Sequence, residues 1–271
     1  MMALLRTEAV KQARRPRTWV ALGLMAAIPI IITFALWANP PQLGREGGTD
    51  LFYLSTHSGL LLPAAILMVM SRFLLIMVAA LFAGDAIASE ASWGNLRALL
   101  ARPVRRERLL GVKLSISVAL AFLATIIIVV TALVAGVIAF GWHPLDLRPF
   151  APAQSVGTLL GHLGIASGYI AWSLTSIVAF GFMISTMTDS PAGAGSAAFG
   201  LYITSSILDN ITAIGVIRNV FPTHYIDAWQ SMFRDNVVST DMARGALLQV
   251  GYIVVFCGVA WWYFRRKDIM S

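Results

Sequence analysis

The residues of this chain with the most chemical character lie between Gly84 and Lys113, in the run GDAIASEASWGNLRALLARPVRRERLLGVK. Arg97, Arg102, Arg105, Arg106, Arg108 and Lys113 stand there against Asp85, Glu90 and Glu107. Apolar stretches flank the run, so it is a basic connector between two lipid-soluble segments. Ser92 can cap a helix that starts near Trp93, and Leu96, Leu99 and Leu100 fall at i, i+3 and i+4 as one apolar stripe. Pro103 ends that helix, because its ring removes a backbone donor and clashes with the preceding turn. A second basic turn over 105–110 leads onward. The spacing predicts a short rigid helix held across a membrane surface, which is the chemistry of docking a soluble partner. An ordinary basic loop would share the charge, but not the Trp93-Gly94 start, the leucine stripe or the proline stop.

Other patterns that could carry chemistry are sparse. No GxxxxGK[ST] phosphate loop occurs, and Lys11, Lys113 and Lys267 are the only lysines. Such a loop would cradle nucleotide phosphates on its amides, so nucleotide hydrolysis by that route is not expected here. His57, His143, His162 and His224 are scattered without metal-ligand spacing, and no GxSxG elbow is present. No catalytic residue, bound metal or cofactor is therefore expected in this chain. Arg72 falls near the middle of an apolar stretch, where insertion costs about 2.5–3.5 kcal/mol. It either lines a path for a polar or anionic cargo group, or is structural, pairing with a backbone carbonyl or hydroxyl or snorkelling from a shifted span.

These residues need elements to hold them, and the composition says which solvent those elements meet. Of 271 residues 58% are hydrophobic and 12% charged, against about 25% charged in soluble domains. Mean hydropathy is +0.77. That much apolar surface needs lipid around it. The expected fold is an all-α polytopic membrane protein, a single domain over 1–271: an interfacial helix at 1–17, a six-span bundle at 18–264, and a tail at 265–271. Expected spans are Trp19–Trp37, Gly59–Ala83 (interrupted by Arg72), Leu114–Phe140, Gly164–Thr186, Pro191–Leu208 and Ala246–Phe264. An interfacial helix is expected over Ala153–His162, because the uncharged run 149–188 is too long for one span of about 20 residues. In 1–15, Met2, Leu5, Ala9 and Ala13 would share an apolar face, with basic groups turned to lipid headgroups. Phe221, Tyr225, Trp229 and Phe233, spaced by four, would share a helix face at the opposite interface. Cleavage of a leader is not expected, since the first apolar run is too long for one. Gly164-x-x-x-Gly168 and Gly193/Gly195/Ser196 offer small-residue surfaces for close helix approach. With both termini inside, fourteen of the twenty basic residues are cytoplasmic, five are outside and Arg72 is within the membrane.

The connector resembles the signature of type-2 ABC exporter permeases, in which an acid closing the second span precedes Gly-Thr-Leu, a leucine pair, Pro and Arg. Glu90 matches the acid; Gly94, Asn95 and Leu96 match the triplet, with Asn95 in place of Thr; Leu99, Leu100, Pro103 and Arg106 match the rest. Phe221–Trp229, FPTHYIDAW, resembles the family's segment before its last span. The resemblance implies the membrane subunit of an ATP-driven exporter in a bacterial inner membrane, with both termini cytoplasmic. It implies two separate ATP-binding subunits as partners, holding the ATP and Mg, a second permease chain making a homodimer, and no nucleic acid. Residues 90–107 would form the coupling helix, with Glu90, Trp93, Gly94, Asn95, Leu96, Arg97, Leu99, Leu100, Arg102, Pro103 and Arg106 meeting the ATPase. Cargo would be a drug, peptide or lipid-like compound. The alternatives are an intramembrane enzyme using Glu90, Asp85 or His162, and a non-transporting anchor that recruits a soluble protein.

Overall fold

The computed structural model describes residues 2–41, 50–92, 106–144, 155–233 and 239–266, and among these every regular element is helical. The elements are α1 (Met2–Ala13), α2 (Pro16–Ala38), α3 (Asp50–Ser55), α4 (Leu62–Met70), α5 (Leu74–Ser92), α6 (Arg106–Phe140), α7 (Val156–Met187), α8 (Pro191–Asp209) and α9 (Ser239–Arg266). Short 3-10 turns cover Gly59–Leu61, Thr212–Val220 and Ala228–Phe233.

Local chemistry sets most of these boundaries. Pro16 opens α2, where its missing N–H and preset φ do no harm, and Asn39-Pro40-Pro41 closes it. Gly141, at φ +82°, ends α6 in a conformation that glycine alone adopts freely. Ser155 and Ser190 cap α7 and α8, accepting from the amides of Thr158 (3.2 Å) and Gly193 (3.1 Å).

Helices α2, α5, α6, α7 and α9 are long and apolar enough to cross a membrane. The expected fifth span, Pro191–Leu208, is the 19-residue α8, whose Gly, Ser and Thr leave it short of that apolar standard. The second expected span begins at Gly59 and is broken by a turn at residues 71–73, so Arg72 sits between α4 and α5. The expected break before Gly164 is absent: α7 runs unbroken from Val156 to Met187. Its first turns are held by Leu159, buried with Leu60 and Leu61, and at about 48 Å it outreaches a bilayer core of about 30 Å.

Segment 59–92 runs antiparallel beside α6. The Gly59 amide donates to the Gly141 carbonyl (3.3 Å) at one end, and Ser117 Oγ donates to the Phe82 carbonyl (3.2 Å) towards the other. α5 and α7 form the centre, with 78% and 72% of their most apolar stretches buried. α2, α6 and α9, at 28%, 28% and 17%, form the periphery and turn Ile31, Phe34, Ile138 and Leu247 outward. Apolar surface outside and packed small residues inside is the pattern expected of a bundle in lipid.

The aromatic segment before α9 also departs from expectation. Pro222 and a positive φ at Gly215 prevent a continuous helix, and the chain folds back into the bundle instead. Tyr169 donates to the Tyr225 carbonyl (2.6 Å), Gln249 to that of Pro222 (2.9 Å) and Tyr252 to that of Val220 (2.6 Å). Trp229 is fully buried. The four aromatics therefore do not share one helix face: Trp229 is interior, while Phe221, Tyr225 and Phe233 are half-buried.

Candidate functional site

At the end of the bundle from which the connector springs, α1, the start of α2, the end of α5 and the start of α6 bring together seven charged side chains. α1 is helical as expected, with Arg6 and Arg14 exposed, but it turns Glu8 inward and leaves Ala9 and Ala13 of the expected apolar face exposed. What α1 meets on the bundle is charge. Lys113 of α6 is 5% exposed and holds Glu8 Oε2 (3.2 Å), Glu90 Oε1 (2.8 Å) and the Ala86 carbonyl (3.1 Å). Lys11 of α1 makes a second ion pair with Glu90 Oε1. Arg15, in the turn between α1 and α2, pairs with Asp85 Oδ2 and donates to Ser89 Oγ (3.2 Å). Arg17 approaches Asp85 Oδ1 at 2.6 Å. Buried charges persist only when paired, and here each carboxylate faces at least one lysine or arginine, although Glu90 Oε2 and Asp85 Oδ1 accept no hydrogen bond among the described residues.

Ser185 of α7 completes the junction. Its hydroxyl donates to the Gly84 carbonyl (2.8 Å) and accepts from the amides of Ile87 (3.0 Å) and Ala88 (2.9 Å). A side chain inserted at the edge of a helical ladder loosens that turn while keeping its polar groups satisfied. Ser185→Ala should leave those buried groups short of a partner and lower stability by about 1–3 kcal/mol, read as an earlier thermal unfolding in detergent. Ser185→Thr, which keeps the hydroxyl, should lose less.

Asp85 and Glu90 are each engaged by two cations. His162 lies near the start of α7, at the other end of the bundle, with its ring against Phe233 (6.0 Å). The three candidates for intramembrane acid–base work therefore do not converge. Among the described residues no three of His, Cys, Asp and Glu gather as a metal-ligand set.

Of the residues expected to meet a partner, Glu90 is turned inward at 1% exposure, serving α1 and α6. Arg106 opens α6. Trp93, Gly94, Asn95, Leu96, Arg97, Leu99, Leu100, Arg102 and Pro103 lie outside the described residues. Arg72 makes a two-point ion pair with Asp227 of the folded-back segment (2.8 and 3.3 Å), an acid rather than the carbonyl or hydroxyl expected of a structural role. Gln230 donates to the same carboxylate (3.0 Å). Sequence reasoning missed Glu8, Lys11, Arg15, Lys113 and Ser185 as a unit. One signal was available: Glu8 is the sole acid in the first 17 residues of a basic segment.

A helical bundle with five helices long and apolar enough to cross a membrane defines a multi-pass membrane protein. The chain belongs to the family described as "Protein of unknown function (DUF2705)", whose model matches residues 28–270. No curated protein matches it.

Proposed function

We propose that this protein is the membrane permease subunit of a bacterial ATP-driven ABC exporter, moving a drug, peptide or lipid-like compound. It works as a pair of permease chains with two separate ATP-binding subunits, and both termini lie on the cytoplasmic side of the inner membrane, with α8 as the fifth of six crossings. The reading is carried by the connector: Glu90, the Gly94-Asn95-Leu96 triplet, the leucine pair, Pro103 and Arg106 in the order of a type-2 exporter signature. The chain has no phosphate loop, so a partner would supply the nucleotide chemistry.

The charge junction supports this reading mechanically. The connector leaves α5 after Ser92 and enters α6 at Arg106, and a single helix, α1, is ion-paired to both: to Glu90 on one side and Lys113 on the other. A push on the connector would reach α5, α6, α1 and α2 together and would not be lost in one hinge. Conformational steps of this kind need such a rigid linkage.

The test is gentle detergent extraction of the chain with its native partners. An ATPase should co-purify. Leu96→Asp or Leu99→Asp, which puts a charge into the expected apolar stripe, should cut cargo-stimulated ATP turnover at least tenfold while leaving the permease folded. If no ATPase co-purifies, or turnover is unchanged in both variants, the proposal fails.

A further inference from the structure

On the flank of the bundle a cleft of about 420 Å³ opens between α5 and α8, closed at one end by Arg17. Its wall is apolar where α5 offers Met77 and Leu81, both 40% exposed, and α8 offers Phe199. At the Arg17 end the character changes. Arg17 NH1 is engaged by Asp85 Oδ1 at 2.6 Å, and its other N–H groups have no partner among the described residues although the side chain is 37% exposed. Beside it α8 begins at Pro191, so the positive end of that helix and the amide of Ala192 border the same space. The Ser196 hydroxyl, also in the wall, makes no hydrogen bond among the described residues.

Depth decides what fits. Arg17 is the second residue of α2 and Pro191 the first of α8, so this end of the cleft lies where spans begin, at headgroup level. From Asp85 to Met77 the wall then descends about 12 Å into the apolar layer. A ligand seated here has an anionic head bearing hydrogen-bond acceptors and an unbranched apolar tail, and it arrives from the bilayer. We infer that the α5–α8 cleft binds one membrane phospholipid, its phosphate on the Arg17 guanidinium and the start of α8, one acyl chain along Leu81, Met77 and Phe199. Asp85, which also lines the cleft, orients the guanidinium through its Oδ1, and the small residues at the start of α8 leave room for the head. The inference is independent of any transport role.

The purified full-length chain, stripped of lipid in mild detergent, is titrated with phosphatidylglycerol or with diacylglycerol, which has the same chains and no phosphate; bound lipid is counted by native mass spectrometry. One phosphatidylglycerol should bind, with diacylglycerol at least fivefold weaker. Arg17→Gln should weaken phosphatidylglycerol about fivefold to tenfold and leave diacylglycerol unchanged. Ser196→Trp and Leu81→Trp, at the exposed rim, should fill the cleft and abolish binding of both, with elution and unfolding temperature near wild type. Millimolar inorganic phosphate should not displace the lipid, since the tail holds it. Equal binding of the two lipids, no effect of Arg17→Gln, displacement by phosphate, or a lipid-free dimer that Ser196→Trp dissolves would each overturn the assignment. No ATPase or nucleotide enters the measurement, so its failure leaves the exporter reading standing, and loss of that reading leaves the lipid site intact.

Discussion

Lys113→Met should be among the most damaging single substitutions in the protein. It removes the cation shared by Glu8 and Glu90, which are 5% and 1% exposed. Glu90 keeps Lys11, but Glu8 is left as an uncompensated charge against the bundle. Breaking one side of a buried ion pair costs about 3–5 kcal/mol. At about 2–4 °C per kcal/mol for a chain of this size, the unfolding midpoint in detergent should fall by about 6–20 °C. Adding Glu8→Gln should restore a large part of the loss, because the stranded charge is then gone. Glu8→Gln alone should cost less than Lys113→Met. If the double variant is no better than the single one, Lys113 acts through packing of its stem, and the ionic account of the junction is wrong. The same pair has a functional readout under the exporter proposal. The double variant, refolded but without the α1–α6 link, should hydrolyse ATP with its partner yet couple poorly to cargo.

Gly84→Val should be comparably severe for a different reason. A Cβ at residue 84 would stand 2.5 Å from the Gly195 amide nitrogen and 2.8 Å from the Pro191 carbonyl oxygen. Both are backbone atoms of α8, so no side chain can swing aside and the two helices must part. Overpacking of this kind costs about 3 kcal/mol or more at its upper end, and Gly84→Ala should already show much of it. Gly164→Ala and Gly168→Ala make the control, since neither position has any atom within 4 Å of a new Cβ. Those changes should be neutral or raise stability by about 0.5–1 kcal/mol through helix propensity. Unfolding midpoints of the four variants in one detergent decide the matter. Equal effects at 84 and 164 would refute the close α5–α8 contact.

That contrast also shows where sequence reading stopped. Gly164-x-x-x-Gly168 has the spacing associated with close helix approach, and among the described residues of this one chain nothing approaches it. A close α5–α8 contact joins Gly195, part of the small-residue surface expected of Gly193, Gly195 and Ser196, to Gly84, which stands in no such pattern and appears in sequence as the start of a polar connector. A motif reports that a helix face is small; it does not report which partner lies opposite. Arg72 is a similar case. Its cost in lipid was legible from its place in an apolar run, but its partner, Asp227, lies 155 positions away on a segment whose fold depends on Pro222, Gly215 and the burial of Trp229.

The amino-acid sequence alone determined the class of solvent, and with it the helical class of the fold. In lipid every backbone amide must be satisfied within its own segment, so long apolar runs become helices, and Pro, Gly and Ser mark where they begin and end. That is why α2, α6 and α9 follow from local pattern. Tertiary structure decided what faces what. It turned Glu8 of α1 inward, because the surface awaiting it carries Lys113 beside Glu90. It joined α7 into one helix through the burial of Leu159. It also brought Arg17 to the mouth of the α5–α8 cleft. Pairings of charge at separations of 70 to 105 residues depend on how helices stack, and stacking is a property of surfaces in three dimensions that no single helix carries in its own sequence.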